Sequence, residues 1–431
     1  MIIIPVREGA RLKLPPELAR TDLPRRLLKM SEESPIEIFR RCRGGALQAS
    51  AVVGTVTCGT VQIEIWPKTA GNDATHDRTF LLNLLRFVGY LNKYHADIGG
   101  VSDAPGNPIE ILIGEIAQDI LNGLREGIPR RYEDQDLETT EVRGRIDFGR
   151  LSTRLPATKT LIPTRHALLS IDHRLSRMIK WVAQTLLMLT RSARTEEKLL
   201  SILAVLRDID LARFSNSDLQ SLTLSRFEMR WERTLTIAHL LRQGRSLNPT
   251  TAGYLSGITL VFKLHTLFER CLRRLLPAAL QSPDLSVTHN TKRLFMLHSS
   301  HRDEAVVPLR PDFVYRRNGV PIAIADAKWK LLKESTKGYG IDAGDLYQAH
   351  AYMSRYRVCD TLLLFPKTRW MREDWSESYL IPGTDLRVHL LGVDIESLVS
   401  PEKEVSSHAL ARLARATVAF IPAREAPGTI S

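Results

Sequence analysis

Segment 312–328 holds the residues best suited to chemistry. Asp312 follows Pro311 and opens the run Asp312-Phe313-Val314-Tyr315-Arg316, and Asp326 and Lys328 close the run Ile322-Ala323-Ile324-Ala325-Asp326-Ala327-Lys328. Asn318-Gly319 between them is a two-residue hairpin signal. Residues two apart on a strand share a face, so Asp326 and Lys328 project together and the hairpin brings Asp312 alongside. Two carboxylates at the end of an apolar strand repel one another unless a cation lies between them. Hard oxygen donors in this number suit Mg²⁺, which keeps several waters and takes substrate phosphate. Lys328 can hold and help deprotonate an attacking water, or stabilise charge on a phosphorane-like transition state. That is the chemistry of phosphodiester hydrolysis. The competing reading is a surface ion pair on a sheet edge. Against it, Asp326 emerges from the apolar run Val320 to Ala325, where an unpaired charge is costly.

Further residues lie in order around this hairpin. Glu269, in Leu267-Phe268-Glu269-Arg270, borders the apolar stripe of a helix and can supply a third carboxylate; the plain alternative is pairing with Arg273, four residues on. Gln348 and Tyr352 lie four apart on a helix, hence on one face, and both can hydrogen-bond a phosphate or a base; otherwise they form a polar patch on a core helix. Two decoys test the pattern. Glu196-Glu197-Lys198 repeats acid-x-Lys within helical periodicity, where residues two apart do not face each other, and Pro283-Asp284 leads into turn-like residues uncoupled from 326. His298-Ser299-Ser300-His301 reads as a polar loop rather than a metal site, having neither a nearby Cys nor a helix. Arg143 and Arg145, in the basic stretch 130–154, can touch DNA phosphates, dock a protein partner, or simply be solvated.

These residues need elements to position them. Alternation at Ile36-Glu37-Ile38-Phe39 and Val61-Gln62-Ile63-Glu64-Ile65-Trp66 predicts strands and turns over the first seventy residues. Helical spacing follows at Phe80, Leu81, Leu84, Val88 and Leu91, and again from Ile109 to Leu124. Leu175 to Leu186 and Leu199 to Ile209 mark a helical middle. From about 256 a further helix is expected through Leu260, Leu264, Leu267, Phe268, Cys271 and Leu275, stopping before Pro277. Hairpin, helix near 344–356 and the apolar strand Thr361-Leu362-Leu363-Leu364-Phe365 complete the order. The expected division is 1–160 mixed, 161–255 helical, and 256–431 an α/β module, giving an α/β (α+β) class.

Composition narrows the function classes. The chain has 431 residues and a formal net charge of +12, a surplus that favours a polyanionic partner such as nucleic acid. Its four cysteines form no Cys-x-x-Cys pair, which excludes a zinc ribbon or dithiol motif, and their irregular spacing excludes a disulfide scaffold. No stretch approaches the roughly 20 apolar residues that a membrane helix requires. Met1-Ile2-Ile3-Ile4-Pro5 meets Arg7-Glu8 too soon for a signal sequence, so a cytoplasmic protein with no membrane partner is expected.

The order Glu … Pro-Asp … Asp-x-Lys … Gln-x-x-x-Tyr, set on helix, strand, turn, strand and helix, resembles the PD-(D/E)xK nuclease superfamily. The likeness extends to Trp66-Pro67-Lys68, to Glu141-Val142-Arg143-Gly144-Arg145-Ile146-Asp147-Phe148, to Asp326-Ala327-Lys328-Trp329-Lys330, to Asp345-Leu346-Tyr347-Gln348 and to Leu364-Phe365-Pro366. On these segments the chain resembles the McrC family, nuclease subunits of 5-methylcytosine-dependent restriction systems. The resemblance implies a C-terminal restriction-endonuclease-like domain, with a mixed sheet flanked by helices, that cuts DNA with Mg²⁺. It implies Asp312, Asp326 and the Ala327 carbonyl as metal ligands, Lys328 as catalytic lysine, Glu269 as upstream acid and metal ligand, and Gln348 and Tyr352 as supporting residues. It implies an N-terminal part that docks on the AAA+ GTPase hexamer McrB and stimulates it. The strand-rich start departs from the short, helix-entering start of some members and implies a larger docking domain. No Gly-x-x-x-x-Gly-Lys-Ser/Thr occurs in the sequence, so nucleotide-driven work falls to another chain.

Overall fold

The computed structural model describes residues 2–43, 45–68, 73–92, 107–142, 144–152, 161–243, 258–280, 282–289, 294–302 and 304–421. Two sheets organise it. In the first, β1 (Ile2–Arg7) runs parallel to β3 (Val61–Trp66), β3 pairs antiparallel with β2 (Val52–Cys58), and β2 pairs antiparallel with β4 (Ile258–Lys263). The second sheet has the order β5-β6-β7-β8-β10-β9, with β5 (Leu285–His289), β6 (Phe313–Arg317), β7 (Val320–Ala327), β8 (Asp360–Pro366), β9 (Ser376–Leu380) and β10 (Arg387–Val393). Its centre is parallel, β7 on β8 and β8 on β10, and both flanks are antiparallel, as expected of a mixed α/β sheet.

Alternation along β6, β7 and β8 decides what covers each face. Phe313, Tyr315, Ala323, Ala325, Leu362 and Leu364 share a core with Leu267, Phe268, Cys271 and Leu272 of helix α1 (Leu264–Ala279). Val314, Ile324, Leu363 and Phe365 share the other core with Tyr352 and Met353 of α2 (Ala343–Tyr356). The crossover from β7 to its parallel neighbour β8 passes through α2, as such a connection requires. The helices Pro108–Arg125, Arg174–Leu187, Ala193–Val205 and Glu232–Gln243 pack together, the first of them lying before 161, and the segment expected to be helical from 161 opens with the strand Ile162–Ser170. Arg131–Thr139, Arg145–Ile146 and Ile162–Ser170 form a separate three-stranded sheet.

Two expectations are corrected. The first seventy residues are not strands and turns alone: Leu23–Glu33 is a helix that buries Leu23, Leu27 and Met30 at helical spacing. The helix expected from 256 begins at Leu264. Ile258–Lys263 is strand β4, with Leu260 opposite Thr55 in the first sheet, and Pro277 lies inside the last turns of α1 rather than beyond them. That strand ties the segment after 257 into the N-terminal sheet. A single apolar core also runs from Val53 to Ile421, so packing crosses the divisions suggested by chain order.

Candidate hydrolytic site

The site sits at the end of the β6–β7 hairpin. Asn318 and Gly319 both take positive φ, 50° and 83°, which closes the two-residue turn with Arg317 opposite Val320. Phe313 lies opposite Ala325, so Asp312, one residue further out, falls beside Asp326. Parity places Asp312, Asp326 and Lys328 on the face of Val314 and Ile324, under α2. The Ala327 N–H donates to Asp312 Oδ2 at 2.8 Å, and the Lys328 N–H donates to the Leu364 carbonyl at 2.8 Å. Both anchors hold the end of β7 in place.

Burial makes these carboxylates costly. Asp326 is buried, and burial, set against the Lys328 charge, pushes its pKa up. Asp312 rises to about 7, chiefly by burial and then by the nearby Asp326 charge. Lys328 Nζ pairs with Asp326, lies 3.5 Å from Asp345 Oδ1, and donates to Gln348 Oε1 at 2.8 Å. Burial opposes its charge, yet the carboxylates of Asp326, Asp345 and Asp312 outweigh that and hold its pKa above the ordinary value. The Gln348 amide in turn donates to the Tyr352 hydroxyl at 2.7 Å. Tyr352 is buried, and burial and the Asp326 charge raise its phenol to about 12. Lysine, glutamine and tyrosine thus form one chain of hydrogen bonds above the carboxylates.

Glu269 is placed differently. It sits on α1, which covers the opposite face of the sheet, and accepts from Arg273 at 2.8 Å, the i,i+4 pairing weighed from sequence. Its Oε1 lies 3.7 Å from His289 Nδ1, and its charge adds to the rise at Asp312. Among the described residues no three His, Cys, Asp or Glu side chains gather as a metal-binding group. Oxygen donors for a cation are therefore Asp312, Asp326 and backbone carbonyls, with Glu269 at the margin. Asp345, absent from the sequence-based candidates, belongs to the group: it is buried and also binds Lys330 Nζ at 2.6 Å. Its signal was available, since it lies three residues before Gln348 on the same helix face.

Other candidates go elsewhere. Glu196 and Lys198 lie on the helix Ala193–Val205, and Asp284 pairs with Arg317 at 3.1 Å. The ring of His298 bonds the adjacent Ser299 carbonyl. Arg145 is exposed on the three-stranded sheet, and Arg143 lies outside the described residues. No helix among the described residues is long and apolar enough to cross a membrane.

Two solved structures are similar to this chain, the first of them sharing its fold. One, described as a half-complex from a tetradecameric assembly of Thermococcus gammatolerans McrB AAA+ hexamers with bound McrC, matches with a TM-score of 0.63 at 16% identity, over 97% of this chain and 100% of that one. The other, the cryo-EM structure of the Thermococcus gammatolerans McrBC complex, matches with a TM-score of 0.47 at 18% identity, over 65% of this chain and 88% of that one. No curated protein matches. The family model described as McrBC 5-methylcytosine restriction system component matches residues 47–366, most of the chain and all of the site from Glu269 to Tyr352. On that match, the chain belongs to the McrBC 5-methylcytosine restriction system component family.

Proposed function

We propose that this chain is the Mg²⁺-dependent DNA endonuclease subunit of a 5-methylcytosine-dependent restriction system, acting with a McrB-like AAA+ GTPase hexamer and stimulating its hydrolysis. The observation that carries this reading is the convergence of Asp312, Asp326 and Lys328 at the end of one hairpin, capped by Gln348. Two adjacent carboxylates, both driven up in pKa by burial and proximity, are a donor set whose cost a hard divalent cation offsets. Asp312, Asp326 and the Ala327 carbonyl would hold Mg²⁺, which would supply Lewis-acid polarisation of a phosphate oxygen.

The chain's own groups divide the remaining work. Lys328, held cationic by three carboxylates, stabilises the charge that develops on the phosphate oxygens, and is unsuited to taking a proton from water. Gln348 fixes the ammonium and Tyr352 fixes Gln348. Water attacks the phosphorus in line and gives up a proton to solvent, the bond to the 3′ oxygen breaks, and that oxygen takes a proton from solvent, leaving a 3′ hydroxyl and a 5′-phosphate. Arg145 on the exposed sheet, with Arg143, is proposed to contact DNA or the GTPase. The similar Thermococcus gammatolerans chain is described bound to McrB hexamers, and the absence of a P-loop motif from this sequence supports a separate motor.

With the cognate GTPase, GTP, Mg²⁺ and methylated duplex DNA, the wild-type chain should cut. Asp326→Ala should lower the rate by about 10³-fold or more while DNA binding and thermal melting stay near wild type. Wild-type cutting by that variant overturns the reading. Stimulated GTP hydrolysis without cleavage in any divalent metal would instead mark a non-catalytic adaptor. Efficient cutting by the chain alone would mark an autonomous repair or recombination nuclease.

A further inference from the structure

Two segments singled out in the sequence, Trp66-Pro67-Lys68 and the tail of Asp326-Ala327-Lys328-Trp329-Lys330, have no part in the chemistry above, yet they meet at one carboxyl group. Glu8 follows β1 and is 8% exposed. Its N–H donates to the Trp66 carbonyl at 2.9 Å, and its Oε1 accepts from the Lys68 N–H at 3.0 Å. Both of its oxygens accept from the indole N–H of Trp329, Oε2 at 2.9 Å and Oε1 at 3.2 Å. Trp329 immediately follows Lys328. The Lys330 N–H donates back to the Lys328 carbonyl at 2.8 Å, a tight turn at the end of β7. Parity sends Lys328 towards α2 and Trp329 towards α1, where its ring meets Phe268 edge-on, 5.5 Å between centroids. Phe268 neighbours Glu269. Beside the joint lies a cleft of about 500 Å³, lined by Arg7, Glu8, Arg40, Lys68, Trp329 and Leu331. One side of the indole is therefore open, and its polar edge is held by hydrogen bonding rather than by enclosure.

We propose that Glu8 is a positioning residue for the hydrolytic centre, acting through Trp329 to fix where the Ala327 carbonyl and Lys328 lie. The N-terminal sheet is then part of the active-site support: Glu8 lies 321 residues from Trp329 in sequence but one hydrogen bond away from it in space. Its catalytic consequence rests on the nuclease reading; the positioning itself does not.

The test uses the full-length chain and two readouts. Trp329→Phe removes the indole N–H and keeps an aromatic ring against Phe268. Glu8→Ala removes both acceptors, and Glu8→Gln keeps one. Amide hydrogen exchange of peptides spanning 326–330 reports the strand end, whose Ala327 and Lys328 amides are hydrogen-bonded. Exchange there should quicken about tenfold in Trp329→Phe and Glu8→Ala, with less change in Glu8→Gln and none in peptides from β8. In the cleavage assay, kcat should fall about 10- to 100-fold with KM for DNA within about twofold, and Glu8→Gln should recover most of it. Unchanged exchange at 326–330 in Trp329→Phe overturns the proposal, whether or not the chain cuts DNA. Quickened exchange with unchanged kcat overturns its catalytic half. Quickened exchange in a chain whose wild type neither binds Mn²⁺ nor cuts upholds the joint and defeats the nuclease reading instead. If Glu8→Ala fails to fold, the other two variants carry the test.

Discussion

Lys328 is the residue whose surroundings say most about mechanism. A lysine destined to act as a base would need its ammonium destabilised, yet Asp326, Asp345 and Asp312 hold the charge on. Of the two roles open from sequence, electrostatic stabilisation is the one this environment supports. Glu8 offers a pH test at the same scale. Burial raises its pKa from 4.5 to about 7, so between those values the folded chain binds a proton that the unfolded chain does not. Its contribution to stability is therefore present at low pH and lost as pH rises through about 7. Glu8→Gln should flatten that part of the profile, by about 3 kcal/mol at most, in denaturant titrations from pH 4.5 to 8 without metal. A profile for Glu8→Gln that parallels wild type would show that the side chain ionises normally. The residues of the hairpin were legible because acid type, two-residue spacing and an Asn-Gly turn all act locally. Asp345 was visible by its helical spacing to Gln348, but its approach to Lys328 Nζ depends on how the end of β7 packs under α2.

Elements were legible where one local period decided them and illegible where pairing did. Val320–Ala327 and Asp360–Pro366 read correctly from apolar runs bounded by turn signals. Ile258–Lys263 did not: Leu260 and Leu264 are four apart and mimic a helix face, while the strand is imposed by partners some two hundred residues earlier in β2. Leu23–Glu33 has the helical spacing Leu23, Leu27, Met30, with Pro24 in its first turn, where proline suits a helix start. Gly54 marks how closely β4 approaches. Its φ is +135°, and a Cβ there would stand 2.1 Å from the Leu260 carbonyl oxygen. Gly54→Ala should therefore cost about 3 kcal/mol, seen as a lowered midpoint in denaturant, whereas alanine at a glycine of open ordinary backbone would cost little. An unshifted midpoint would mean that β4 is not seated against β2 in solution.

At the scale of the whole molecule, the net charge of +12 favours a polyanionic partner, and the family match runs from β2 through the helical middle to β8, taking in the site. Divisions drawn from chain order could not show that β4 returns to the N-terminal sheet, since nothing local encodes so distant a pairing. The consequence is practical. Anyone hoping to graft the C-terminal half onto a foreign module would separate β4 from its neighbour by starting near 258, and would leave Trp329 without the carboxylate that holds it. Fragments 1–257 and 258–431, expressed apart, should each be poorly protected from proteolysis and should regain protection when mixed. Two independently resistant fragments would contradict the pairing. A transplantable module from this scaffold has to carry the first sixty-eight residues with it, so engineering this chain means redesigning its surface rather than trimming its length.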